Sequence, residues 1–184
     1  MMLALYGRPG AGKSTFSRLL AAEFEAAGVA TVPVRLAAPL YELQAIIHAM
    51  AGRPLLDPHR QDGALLNDLG GHLRRINPAA LTGMFAQRVA QAIERHPGSV
   101  LVCDDMRCAD APALLGLGFT LVAVQAPESL RRSRKQARGD LSAGRDDHAT
   151  EAPVECGPHH VVDNDGGLEL LRSRAADLVG TVLP

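Results

Sequence analysis

The chain has no tryptophan, and aromatic residues make up 3% of its 184 positions. A platform that stacks the bases of single-stranded nucleic acid needs aromatic faces in series, so that class of function is excluded. There is no excess of charge of either sign: 19 Lys and Arg stand against 20 Asp and Glu, for a formal net charge of −1. That balance argues against a polyanion-binding surface, and no nucleic-acid polymer is expected as a partner. No apolar run approaches the ~20 residues of a membrane span. The apolar start is short and runs straight into a glycine-rich turn, unlike a signal peptide. Cysteine is sparse and odd in number, at Cys103, Cys108 and Cys156, which fits a reducing compartment and not a disulfide framework. The stretch Cys156-Gly157-Pro158-His159-His160 has no second ligand pair at metal spacing, so zinc is not expected. These absences predict a soluble cytoplasmic protein without a membrane partner. No repeat or linker divides the sequence, and 47% apolar residues can fill a sizeable core, so residues 1–184 read as a single domain. A homodimer stays open.

What the chain does have is concentrated at Gly7-Arg8-Pro9-Gly10-Ala11-Gly12-Lys13-Ser14. This is a complete G-x-x-x-x-G-K-[ST] phosphate loop. It follows the apolar run Met2-Leu3-Ala4-Leu5-Tyr6, which reads as a buried strand. It precedes Phe16, Leu19, Leu20 and Phe24, an apolar stripe at helical spacing. Strand, glycine loop and helix together give the motif its meaning. Gly10, Ala11, Gly12, Lys13, Ser14 and Thr15 are the expected nucleotide-binding residues. Their backbone N–H groups can converge on phosphate oxygens, and the helix N-terminus adds roughly half a positive charge at the same point. Lys13 can reach the β- and γ-phosphates of ATP, and Ser14 can ligate Mg²⁺.

Further along, Val29 to Val34 reads as a second strand and Pro39 to Met50 as a helix with Leu40, Leu43, Ile46 and Ile47 on one face. Residues 52–63 read as a loop. Leu65, Leu66, Leu69 and Leu73 mark another helix ending at Arg74-Arg75. Asn77-Pro78 is a helix start signal, and that helix carries Leu81, Phe85, Val89 and Ile93 to about Arg95. Ser99–Cys103 and Phe119–Val124 are continuous apolar strands of the kind buried on both faces. Pro127 opens an arginine-rich helix, His160-Val161-Val162 is a short last strand, and Leu168, Leu171, Ala175 and Leu178 mark a closing helix. Strands alternating with helices predict an α/β sandwich with a mostly parallel sheet. Ligands of such sheets gather at the carboxyl ends of the strands, where the phosphate loop and Asp104-Asp105 would lie together.

Asp104 or Asp105 can hold Mg²⁺ or its water shell opposite Ser14. Adjacent strand residues face opposite ways, so one of the pair is expected to face the nucleotide: Asp104 by its strand-end position, Asp105 by the resemblance given below. Arg107 can clamp an acceptor phosphate, and Arg74 and Arg75 can do the same or complement a helix C-terminus. Residues 131–151 hold five Arg and one Lys, then Asp146, Asp147, His148 and Glu151. Beside a phosphate loop such a segment suits a lid, with Arg131, Arg134 and Arg138 on one helical face. Arg134 and Arg138 would neutralise the transferring phosphoryl group. His148 and Glu151 are candidates for substrate contact.

Taken together, the chain resembles the P-loop nucleoside-monophosphate-kinase superfamily, and most closely the deoxynucleoside monophosphate kinase family of phages and bacteria. Four stretches carry the resemblance: Gly7–Ser14, the strand and Asp-x-Arg at Val100–Arg107, the spaced arginines and His148-Ala149-Thr150-Glu151 in the lid, and the strand-Asn-turn-helix from Val162 to Leu170. It implies a P-loop NTPase three-layer sandwich with a five-stranded sheet, a helical acceptor-binding region at 36–96, and transfer of the ATP γ-phosphate to a nucleoside monophosphate. The chain departs from the family at Ala38 and Tyr41, where acidic and basic residues are usual, and at Ala111, an acidic position in the family, with Asp110 just before it. Two other readings stand beside this one: a P-loop kinase for a non-nucleotide small molecule, and a nucleotide-binding ATPase switch. The switch has no Asn-Lys-x-Asp guanine motif in its favour.

Overall fold

The computed structural model describes residues 1–57, 60–137, 141–142 and 157–183. The elements in chain order are β1 (Met2–Tyr6), α1 (Lys13–Ala26), β2 (Thr31–Pro33), α2 (Ala38–Met50), α3 (Gly63–Ile76), α4 (Ala80–Arg95), β3 (Val100–Cys103), α5 (Ala111–Gly116), β4 (Thr120–Gln125), α6 (Glu128–Ala137), β5 (His160–Asp163) and α7 (Leu168–Val182). A single 3₁₀ turn, Cys108–Asp110, leads into α5.

The five strands pair in the order β2-β3-β1-β4-β5, and every pairing is parallel. A parallel sheet must be covered on both faces, because each crossover carries its helix over one of them. Alternation along β1 divides the two layers. Leu3 and Leu5 point into a cluster with Phe16, Leu20 and Phe24 of α1 and Leu171, Ala175 and Leu178 of α7. Ala4 points the other way, into a cluster with Leu40 of α2, Leu81, Phe85 and Val89 of α4, and Leu114 of α5. In that second layer the Phe85 and Phe119 rings meet at 5.5 Å. The result is the three-layer sandwich expected of a P-loop kinase fold.

The helices and one strand differ from expectation in particular places. On α2 the buried residues are Pro39, Leu40 and Gln44, while Ile46 and Ile47 are exposed. Apolar residues occupy more than one face of this helix, so periodicity alone chose the wrong stripe. Gln44 is buried because its side chain is fully used: it donates to the Arg60 carbonyl at 2.9 Å and accepts from the Asp62 N–H at 2.8 Å. On α4, Ile93 is half exposed, because four-residue steps drift round a 3.6-residue helix and the three steps from Leu81 carry it about 120° off the buried face. The strand expected at 29–34 is only Thr31–Pro33, and α5 was not anticipated.

Register places the functional edge. Ala4 of β1 lies beside Cys103 of β3, Pro33 of β2 beside Val102, and Gln125 of β4 beside Asp163 of β5. The residues that follow each strand, 7–14, 34–41, 104–107 and 164, therefore emerge along one edge.

Candidate active site

The phosphate loop turns on Gly10 (φ +81°) and Gly12 (φ +97°), conformations that side chains resist. A side chain at either place would also meet an occupied space, the main chain of Arg131 at Gly10 and the Asn164 amide at Gly12. Helix α1 starts at Lys13 with no side-chain cap and no acidic residue in its first turn. Its leading N–H groups and its dipole are thus directed at whatever anion the loop holds. The Lys13 ammonium donates to the Gly7 carbonyl at 2.7 Å.

Asn164, at the end of β5, braces this loop. It is 5% exposed. Its Nδ2 donates to the Ala11 carbonyl at 2.8 Å, and its Oδ1 accepts from Arg134 of α6 at 3.2 Å. Both terminal nitrogens of Arg134 also lie 3.4 Å from the Asn164 main-chain oxygen.

The two aspartates after β3 have different surroundings. Asp105 accepts the N–H of Leu36 and of Ala37, each at 2.9 Å, and the Cys103 thiol donates to it at 3.3 Å. Desolvation is the largest influence on its carboxyl and leaves it above the ordinary aspartate range, although both amides pull it down. Burial, together with Asp105, raises Cys103 well above an ordinary thiol. Asp104 and Asp105 nonetheless both line one cavity. β3 ends at Cys103, so strand alternation does not govern the two residues that follow it; what separates them is that the Asp105 carboxylate is taken up by the Leu36 and Ala37 amides.

That cavity has a volume of about 700 Å³ and runs from the phosphate loop to the helical layer. One end is formed by Gly10, Gly12, Lys13, Ser14 and Thr15. The other is formed by Leu36, Leu40 and Tyr41, and by a stripe of α3 comprising Gly63, Leu66, Asn67, Gly70 and Arg74. Among the described residues, seven cationic ones line it (Lys13, Arg18, Arg35, Arg74, Arg107, Arg134 and Lys135) against two carboxylates, Asp104 and Asp105. Such an excess of cations stabilises a bound polyanion. Tyr41 accepts from Gln61 Nε2 at 2.6 Å, and burial, then the neighbouring Asp105, holds its phenol above the usual range.

Arg74 is not simply aimed at the cavity. Its Nη2 pairs with both oxygens of Asp110, at 2.8 and 3.1 Å, and Asp110 is 1% exposed. Asp110 also accepts the Arg107 N–H at 3.1 Å. The acidic residue displaced by one position from the family pattern therefore ties α3 to the turn that carries Arg107. Arg75 is on the outside, against His72, and does not line the cavity. Leu141 and Ser142, beyond α6, lie on the start of α3: the Leu141 N–H donates to the Gln61 carbonyl at 2.9 Å. Ser142 Oγ accepts the Ala64 N–H at 2.9 Å and donates to Asp62, which caps α3 through the Leu65 N–H. Arg138, His148 and Glu151 lie outside the described residues, as does much of the expected lid.

Sequence reasoning gave no site role to Arg18, Arg35 or Asn164, counted Lys135 only within the lid, and noted Asp110 only as the neighbour of Ala111. Arg18 had a signal, since it lies one helical turn beyond Ser14. Asn164 had a weaker one, as the Asn of the strand-Asn-turn-helix stretch. The Arg74–Asp110 pairing had none, because its partners are 36 positions apart.

No protein-family model matches the chain, and no curated protein matches its sequence. Solved structures do match its fold. TT1252 from Thermus thermophilus is 20% identical, with a TM-score of 0.60 over 100% of this chain and 98% of that one. A sugar kinase from Janibacter sp. HTCC2649 is 17% identical, with a TM-score of 0.53 over 98% and 95%. Shikimate kinase from Acinetobacter baumannii, solved with shikimate, is 14% identical, with a TM-score of 0.51 over 98% and 92%. At these identities the likeness is one of fold, and it covers nearly the whole chain. Among the described residues, no helix is long and apolar enough to cross a membrane.

Proposed function

We propose that the chain is an ATP- and Mg²⁺-dependent phosphotransferase whose acceptor is a small monophosphate of the nucleoside monophosphate kind. The observation that carries this reading is the single cavity joining the phosphate loop to Arg35 and Arg107 with a large excess of cations. Two anions brought face to face repel each other, and transfer between them needs a wall that neutralises both. Lys13 stabilises the migrating group and Arg134 joins it, while Arg107 and Arg35 hold the acceptor phosphate. The hydroxyl of Ser14 and the carboxylate of Asp104 are hard oxygen donors on one cavity wall, a set that suits Mg²⁺ held mainly by phosphates. When bound, the metal would supply positive charge to the phosphates, with Ser14 and Asp104 as the residues that would hold it or its water shell. A phosphate acceptor is already a nucleophile and needs no base.

The non-nucleotide alternative draws on two of the fold neighbours, a sugar kinase and a shikimate kinase, and on an acceptor end whose one aromatic side chain among the described residues is Tyr41. A hydroxyl acceptor wants a carboxylate base. Of the two in the cavity, Asp105 is committed to two backbone amides, and Asp104 would have to serve both metal and proton. This favours the phosphate acceptor. The test is ADP production from ATP across a panel of nucleoside monophosphates, sugars, sugar phosphates and hydroxy acids. Stimulation by monophosphates supports the proposal; stimulation by unphosphorylated alcohols alone moves it to the alternative. ATP hydrolysis indifferent to every acceptor indicates an ATPase switch.

In the same assay Asp104→Asn is expected to raise the Mg²⁺ concentration for half-maximal rate about tenfold, the usual scale for a group that orients a metal's shell. An unchanged Mg²⁺ titration removes Asp104 from the metal site.

A further inference from the structure

Besides the main-chain N–H bond that ties it to the Gln125 carbonyl at 2.6 Å, Asn164 makes one short bond and several long ones. The amide N–H to the Ala11 carbonyl, at 2.8 Å, fixes the phosphate loop from below. The contacts that hold Arg134, at 3.2 and 3.4 Å, come from neutral oxygens. Among the described residues no carboxylate pairs with Arg134. Its Nη1 lies 3.9 Å from the position a Cβ would take on Gly12, so the guanidinium is suspended over the loop glycine that precedes Lys13. A cation held by long, neutral contacts beside a phosphate cradle is ready to exchange them for shorter charge-assisted bonds.

We propose that Asn164 is a positioning residue that sets Arg134 over the phosphate loop, so that the arginine meets the terminal phosphate of a bound triphosphate. The inference rests on the phosphotransferase reading and adds to it a residue that touches no substrate. One planar amide fixes both distances: its nitrogen sets the height of Ala11, and its oxygen sets the perch of Arg134. Because one residue holds both groups, the loop and the arginine are set at a defined separation before nucleotide arrives, and the arginine then gives up its long contacts for phosphate. Neutrality matters as much as shape. A carboxylate in the same place would oppose the Ala11 carbonyl and grip the guanidinium as an ion pair, holding it away from phosphate.

The test compares the affinity of ADP with that of a non-hydrolysable ATP analogue, by calorimetry with Mg²⁺, for the wild type, Asn164→Asp, Arg134→Ala and the double variant. Asn164→Asp keeps the size of the side chain, and a thermal melt confirms its folding. The preference for the triphosphate should fall about tenfold in Arg134→Ala, the scale of one charge-assisted contact. It should fall by a similar factor in Asn164→Asp and no further in the double variant. If Asn164→Asp weakens ADP and the analogue equally, the residue only supports the loop and the proposal is overturned. Full additivity in the double variant overturns it as well. A wild type that binds neither nucleotide refutes the phosphate-loop reading itself, an outcome separate from failure of the Asn164 role.

Discussion

Lys13→Ala is expected to lower phosphoryl transfer by roughly 10²–10³-fold, the range seen when one preorganised donor to a developing charge is removed. The argument is one of division of labour. Lys13 belongs to neither apolar cluster, and α1 is anchored by Phe16, Leu19, Leu20 and Phe24, so the helix does not need it. Its ammonium donates to the Gly7 carbonyl, within the loop it would serve. The substitution therefore removes charge from the phosphate path and leaves the packing as it was. The check is a pair of measurements: initial rate with the best acceptor of the panel, and a thermal melt. A large loss of rate with a nearly unchanged melt is the expected pair. Near-normal turnover would remove the phosphotransferase reading, whatever the melt showed.

Asp105→Asn should separate stability from function. Asp105 accepts two N–H groups with its two oxygens; an asparagine offers one oxygen and must turn an NH₂ toward the other amide. The segment from Leu36 to Tyr41, which lines the proposed acceptor end of the cavity, then loses one of its two ties to the end of β3. The expected result is a rise in acceptor KM of about tenfold, equivalent to ~1.4 kcal/mol, with the KM for ATP little changed. The pH dependence of stability gives an independent reading. The Asp105 carboxyl titrates above the ordinary value of 3.8, chiefly because it is desolvated. The folded chain therefore holds this proton more tightly than the unfolded chain does. The associated stability is complete below 3.8 and is lost as pH rises through the elevated value. The asparagine variant lacks that loss. Its melting temperature relative to the wild type should climb as pH increases across this window and then level off. A constant difference would mean that Asp105 is not held above its ordinary value, and an unchanged acceptor KM would mean that the Leu36–Ala37 clamp does not shape the site.

The strands were legible because a buried parallel strand is an unbroken apolar run, as in Val100–Cys103 and Thr120–Gln125, and the phosphate loop because its glycines and lysine have fixed spacing. Helix faces were legible where one stripe dominates, as in α1, and misread in α2, where Leu43, Ile46 and Ile47 compete with Leu40 and a buried glutamine decides the register. The donor end of the cavity is a local motif and could be read along the chain. The acceptor end could not. It is assembled from Arg35, Tyr41, Gln61, Asn67 and Arg107, which become neighbours only because β2 and β3 end side by side and α3 folds back over them. The Arg74–Asp110 pair spans 36 positions and the Asn164–Ala11 bond spans 153; no periodicity carries information over such intervals.

The strand order has a consequence for how the chain is made. β1 lies at the centre of the sheet, and its partners are β3 and β4. Met2 is registered with Leu101 and Leu3 with Thr120. At ordinary translation speeds of 5–20 residues per second, the first strand waits roughly 5–20 s for a neighbour. During that interval Met2-Leu3-Ala4-Leu5-Tyr6 is an unpaired apolar ribbon with both edges open. The phosphate loop cannot settle either, because Gly7 rests against the Val124 carbonyl, on a strand not yet synthesised. The most local motif of the sequence is thus among the last parts of the nascent protein to acquire its shape, and for that interval its leading strand depends on whatever shields it at the ribosome.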